Sequence, residues 1–247
     1  MSYLPRHDTQ YEPRTAFSGR DCNMAAAADA ARFWSLGLID HNHQWYRDHA
    51  ENPDGTRDTS GGTNITQAAE VLGDVGIPST IYDATDGRDF GDVRVALRAG
   101  FYVIAHGDYG SVPRAERGEI APGFSGLHSV GFARWSPVNG VQVGDGLSDA
   151  WEWWSEAVAS RYMRDFPGIG YTYLVVRPRK LAAKVPRANV RKTMSTSSAV
   201  LGQITPSSRL HFGGIQRGGY VGSNRSWFRV FFKGQIGYVH TSVAKPV

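Results

Sequence analysis

The longest helical pattern in the chain opens at its cysteine. In the run from Cys22 through Ala25, Ala28 and Ala31 to Trp34, the positions Ala26, Ala30, Phe33 and Trp34 recur at helical spacing. Alanine adds high intrinsic propensity, so a buried helix ending near Gly37 is expected. Residues 1–20 are polar and broken by Pro5, Pro13 and Gly19, and read as an extended arm. Residues 38–62 are polar again. Thr63 or Asn64 then caps a helix with Ile65, Ala68, Ala69 and Leu72 on one face, ended by Gly73 or Gly76. A short strand at 79–82, a helix over 90–100 and a buried strand from Phe101 to His106 follow. Residues 111–125 form a Pro/Gly/charged loop of the length that usually overlies a site.

Past this loop the period changes to two. Residues 128–135 and 141–145 flank Asn139-Gly140, a strong hairpin signal. His128 begins the first strand and Asp145 ends its partner, so both lie at the same end of the sheet. A strand end passing into a helix over 151–158 and a strand at 171–176 complete a first domain, residues 1–176. Residues 177–188 are rich in Pro and cations and read as a linker. From 189 to 247, short strands alternate with glycine-rich turns, as in a small barrel. The expected fold class is α+β, with a small all-β barrel behind it.

A single cysteine excludes an intrachain disulfide framework and a zinc-thiolate cluster, so the thiol is either inert or reactive. Asp40, His41, His43 and His49 cluster in sequence, but their spacing fits no usual zinc pattern, and neither metal nor organic cofactor is expected. No run is long and apolar enough for a membrane span, and the first residues lack a signal-peptide core, so a cytosolic product is expected. Charge divides the chain sharply. Residues 177–247 hold 13 of the 27 Lys and Arg and none of the 23 Asp and Glu, leaving +13 there and −9 in the rest. Such a tail is drawn to polyanions: wall polymer, nucleic acid or membrane surface.

Cys22 in the first turn of a helix faces unpaired N–H groups and the positive end of the helix dipole, which favour thiolate. A thiolate nucleophile needs a base, and the base needs an orienting group. His128 and Asp145 fill those roles in the order of a papain-type enzyme, helix first and sheet second. His106 and Asp108, at the end of the preceding strand, could line the cleft.

Residues 15–165 resemble the papain-like cysteine peptidases related to bacteriocin-processing and phage lysin peptidase domains. The matching features are Asp21-Cys22-Asn23-Met24-Ala25, Ser60-Gly61-Gly62-Thr63-Asn64, Leu97-Arg98-Ala99-Gly100, Gly107-Asp108-Tyr109, Gly126-Leu127-His128-Ser129-Val130, and Gly144-Asp145 followed by Trp153-Trp154. The resemblance implies Cys22 as nucleophile, His128 as general base and acid, Asp145 as orienting carboxylate, and Tyr109 beside His106 and Asp108 at the cleft. Two positions depart from the pattern. Ala16 stands where a Gln usually completes the oxyanion hole, with Gln10 too distant by spacing, and Gly146 replaces a Pro. The Cys22 backbone N–H is then the one oxyanion donor that can be named. Residues 187–244 resemble a bacterial SH3-like module through Asn189-Val190-Arg191, Val200-Leu201-Gly202, Trp227-Phe228-Arg229-Val230 and Gly234-Gln235-Ile236-Gly237-Tyr238-Val239-His240. Such modules in lytic enzymes bind cell wall. Tyr220, Trp227 and Tyr238 could form an aromatic groove, or Trp227 and Tyr238 could belong to the barrel core.

Together these features imply a phage endolysin or virion-associated lysin: a cysteine peptidase or amidase cleaving peptide bonds of peptidoglycan, partnered by the wall and its anionic polymers rather than by nucleic acid. The alternative is a virion tail protein with reduced or no activity, partnered by other tail proteins. A third reading is processing of a precursor at a Gly-Gly-like site.

Overall fold

The computed structural model describes residues 7, 9, 21–50, 63–164 and 170–247. They fall into two compact units. The larger holds residues 40–177 with 21–31, His7 and Thr9, and the smaller holds Arg32–Ile39 and Pro178–Val247. Among the described residues no helix is long and apolar enough to cross a membrane.

In chain order, α1 (Cys22–Ser35) starts at the cysteine. Met24 and six alanines along it are essentially inaccessible, because a side chain no larger than methyl lets the helix pack closely. It stops where Leu36 and Gly37 turn left-handed and the Gly37 N–H returns to the Arg32 carbonyl. The polar stretch after it contains a helix the apolar pattern does not reveal, α2 (His43–His49), capped by Asn42. α3 (Ile65–Asp74) begins with a capping box of Asn64 and Gln67. β1 (Ser79–Tyr82), α4 (Phe90–Arg98) and β2 (Tyr102–Asp108) lead to the hairpin β3 (Leu127–Ser136) and β4 (Gly140–Asp145), and β5 (Glu152–Trp154), α5 (Glu156–Arg164) and β6 (Tyr173–Val176) close the unit. Gly140 sits at φ 85°, the left-handed position that an Asn-Gly turn supplies.

The six strands form one antiparallel sheet in the order β1-β6-β2-β3-β4-β5. Phe90, Val93 and Leu97 of α4 and Tyr162 and Met163 of α5 bury one face with Val103, Val130, Phe132, Val143 and Trp154. On the opposite face a Cβ at Gly144 would lie 2.8 Å from Asp29 Oδ2 of α1, so glycine there admits the helix side chain.

Apart from the last turn of α1, the smaller unit is built of strands. β7 (Lys180–Ala183), β8 (Ala188–Arg191), β9 (Val200–Ile204), β10 (Leu210–Val221), β11 (Asn224–Phe232), β12 (Gln235–His240) and β13 (Ala244–Pro246) form a sheet ordered β13-β7-β10-β11-β12-β8-β9. Its core is Leu181, Val190, Ile204, Phe212, Phe228, Val230 and Val239. The expected linker 177–188 is corrected here: residues 180–183 are a strand, because pairing with β10 and β13 satisfies the backbone between prolines 178 and 186.

Candidate active site

Asp21 occupies the N-cap of α1, its carbonyl accepting from the Ala25 N–H at 2.9 Å. Its carboxylate is fully buried and does not cap the helix. It accepts from Arg47 Nε of α2, with His43 Nε2 at 3.9 Å. Cys22 follows in the first turn and is partly exposed.

On the sheet, Val130 pairs with Asp145, so His128, two residues earlier, shares a face with the carboxylate as its diagonal neighbour. His128 Nε2–H donates to Asp145 Oδ1 at 2.7 Å, which leaves Nδ1 for the thiol. Asp145 is wholly buried and held from several sides. Its Oδ1 also accepts from the Leu147 N–H at 2.9 Å, and its Oδ2 accepts from the Tyr109 hydroxyl. Behind His128, the Tyr162 hydroxyl donates to the His128 carbonyl at 2.6 Å. Strand β2 presents Gly107 opposite His128, and a Cβ there would lie 2.1 Å from the Tyr162 carbonyl oxygen.

The charges follow from this packing. Burial alone would lower the His128 pKa, but the charge and hydrogen bond of Asp145, with a further contribution from Cys22, push it up to about 10. Burial pushes the Cys22 thiol up, and the hydrogen bond and charge of His128, joined by the Ser129 side chain and backbone, outweigh it and hold the thiol below its ordinary value. Burial likewise acts to raise Asp145, yet His128, Tyr109 and the Leu147 N–H keep it low. At neutral pH these groups favour a thiolate, an imidazolium and a carboxylate in line. That arrangement can attack a carbonyl carbon and deliver a proton to a leaving group.

A further set of hydrogen bonds surrounds the residue after Cys22. Asn23 Oδ1 accepts from His106 Nε2 at 2.6 Å and from Ser129 Oγ at 2.9 Å, and its Nδ2 donates to the Thr63 carbonyl at 2.5 Å. Burial, then the nearby His128 charge, lowers His106 to about 4, so it is a neutral donor. His7 lies behind α1, bridging Asp29 Oδ2 at 2.5 Å and the Asp145 carbonyl at 2.6 Å. Although burial opposes its charge, Asp29 and then Asp145 raise His7 to about 9.

The structure brings Cys22, His128 and Asp145 together. It moves two residues expected at the cleft. Tyr109 is fully buried behind Asp145, because the 3₁₀ turn it opens tucks beneath the following loop, where its hydroxyl also accepts from the Gly118 N–H at 2.7 Å. His106 is 6% exposed and turned onto Asn23. Asp108 caps that same turn, accepting from the Gly110 N–H at 2.8 Å. Ala16 and Gln10 lie outside the described residues. The loop is pinned by Arg117, whose guanidinium donates to the carbonyls of Val112, Phe124 and Gly110. Phe124 meets the His128 ring edge-on at 5.7 Å yet remains 36% exposed, which makes it an apolar wall of the site that the sequence did not single out. Among the described residues no group of three His, Cys, Asp or Glu is placed to hold a metal ion. His41 and His49 instead stack on either side of Trp45.

In the smaller unit, Trp227 is 1% exposed and its indole N–H donates to the Gly219 carbonyl, so little of its ring reaches solvent. Tyr238 is half-buried on the same sheet face, paired with Arg229 and Arg191, and Tyr220 is exposed under the Arg225 guanidinium.

Residues 186–244 match the bacterial SH3 domain. A solved structure described as a C39-like peptidase from Bacillus anthracis aligns over 65% of this chain and 90% of that one, at 13% identity and a TM-score of 0.46. No curated protein matches the chain. The SH3 module carries the whole cationic excess of the sequence, since residues 177–247 contain no acidic residue.

Proposed function

We propose that the chain is a cysteine peptidase or amidase that cleaves peptide bonds of bacterial peptidoglycan and is tethered to the wall by its basic SH3 module. The observation that carries the peptidase reading is the buried Asp145–His128 pair, 2.7 Å between Oδ1 and Nε2, beside a thiol held below its ordinary pKa at a helix N-terminus. The Cys22 thiolate attacks the scissile carbonyl carbon and forms a tetrahedral oxyanion, which the Cys22 backbone N–H can receive. As the C–N bond breaks, His128 Nδ1–H passes its proton to the leaving amine and a thioester remains. Water, deprotonated at the same nitrogen, then attacks the thioester and restores the thiol. Asp145 keeps the proton on Nε2 throughout and stabilises the imidazolium. Tethering raises the local concentration of substrate, so the SH3 module contributes to rate on intact wall and not on a short soluble peptide. This supports a wall-lytic role. The test is turbidity loss and release of free amines from purified cell walls, comparing the protein with Cys22→Ala. Activity lost in the variant is expected. Equal activity, or none in either protein, overturns the reading.

A further inference from the structure

The SH3 module contains a pocket of about 170 Å³ lined by β8, β11, β12 and the loop after β8. Its floor is apolar, with Ala188, Val221, Val243 and the Trp227 indole. Its polar groups divide unevenly. Among the acceptors, Asn189 Oδ1 takes the Gln203 amide at 3.0 Å, and His240 Nδ1 takes the Ser242 N–H at 3.2 Å with the Ser242 hydroxyl at 2.7 Å. The His240 Nε2–H and the Trp227 Nε1–H are also spent, on the Asn224 and Gly219 carbonyls. The charged groups of the lining are donors with free capacity. Arg187 is exposed with no hydrogen bond or ion pair among the described residues, and Arg191 commits only its Nη1, to the Ser198 carbonyl at 2.8 Å. Asn189 and Thr196 line the same space. No Asp or Glu of residues 177–247 can compete for these cations, because that segment has neither.

We infer that this pocket is an anion seat: Arg187 and Arg191 clamp one phosphate or carboxylate group, Asn189 and Thr196 complete its hydrogen bonds, and the first carbons of its chain rest on Val221 and Val243. Two guanidinium groups and a lining without any acidic side chain select a multidentate oxyanion over a cation. The inference rests on the wall-tethering reading, in which a polymer phosphodiester or the carboxyl end of a wall peptide would be the source.

The experiment titrates the full chain, as Cys22→Ala to prevent turnover, with sn-glycerol 3-phosphate in one arm and N-acetyl-D-alanine in the other. It follows the Trp227 indole N–H resonance and the heat of binding. Saturable one-to-one binding that shifts this resonance is expected in at least one arm, and the arm identifies the source. Arg187→Gln and Arg191→Gln should each weaken it about tenfold or more, the loss expected for a charge-assisted hydrogen bond. Arg209→Gln with Lys233→Gln, outside the pocket lining, should change it by less than about twofold, since exposed charges at a distance are screened. Equal losses in both sets, or no saturable shift with either probe, overturn the anion seat. Arg187 is exposed, so its variant folds and keeps the test decisive if Arg191→Gln does not. Because no turnover is required, failure here leaves the peptidase reading standing, and failure of wall hydrolysis leaves the anion seat standing.

Discussion

Asp145→Asn isolates the electrostatic part of the candidate site. The substitution is nearly isosteric, and the bonds around it can survive: the amide carbonyl can keep the Leu147 N–H at 2.9 Å while the amide nitrogen faces the Tyr109 oxygen. What disappears is the charge opposite His128. That carboxylate is the leading reason the imidazole stands at about 10 despite burial. Without it, burial pulls His128 toward or below its ordinary value of ~6.5, a loss of roughly 3–5 kcal/mol of imidazolium stabilisation. The thiol then loses the cation that holds it low. Its alkylation by iodoacetamide at pH 7 should fall on the order of 100-fold, and the rate should rise only as pH approaches the ordinary thiol range near ~8.5. The assay is the pH profile of single-thiol alkylation, read by intact mass, with circular dichroism as the folding control. A folded Asp145→Asn protein that alkylates with the wild-type profile would refute the ion-pair account.

Tyr109→Phe removes the hydroxyl that donates to Asp145 and leaves the Gly118 N–H without its acceptor, so thermal unfolding should show a loss of about 2–4 kcal/mol, with alkylation of Cys22 largely kept. His7→Ala removes the buried bridge between Asp29 Oδ2 and the Asp145 carbonyl and should cost about 3 kcal/mol. The folded pKa of His7 is raised to about 9, so its stabilisation is complete below ~6.5 and lost as pH rises through about 9. Urea titrations should therefore separate wild type from His7→Ala at pH 6 and bring them together near pH 10; an equal gap at both pH values would refute the charged bridge.

Local signals carried much of this architecture. The alanine-rich period after Cys22 is the helix α1, and Asn139-Gly140 is the turn that places His128 and Asp145 on one face. What stayed hidden depended on partners distant in sequence. His7 sits in a stretch with no periodicity, and its place is set by Asp29 and Asp145, 22 and 138 residues away. β10 has four glycines, which weaken any strand signal, yet a Cβ at Gly218 would lie 2.2 Å from Met194 Cβ, so the loop crossing there requires one of them. Tyr109 was visible as a motif residue, but nothing local distinguishes a tyrosine lining a cleft from one bracing a carboxylate beneath it. Asn23 and Ser129 flank the nucleophile and the base, and that adjacency was the available hint of their role.

The thiol of the candidate site is also the only one in these 247 residues. Oxidation of a partly exposed, low-pKa cysteine begins with sulfenic acid, which a neighbouring thiol normally traps as a disulfide. Cys22 has no such resolving partner in its own chain. Its rescue must come from a small external thiol, and without one the sulfur advances to the irreversible sulfinic state. Oxidant can therefore silence this thiol while the fold around it stays intact.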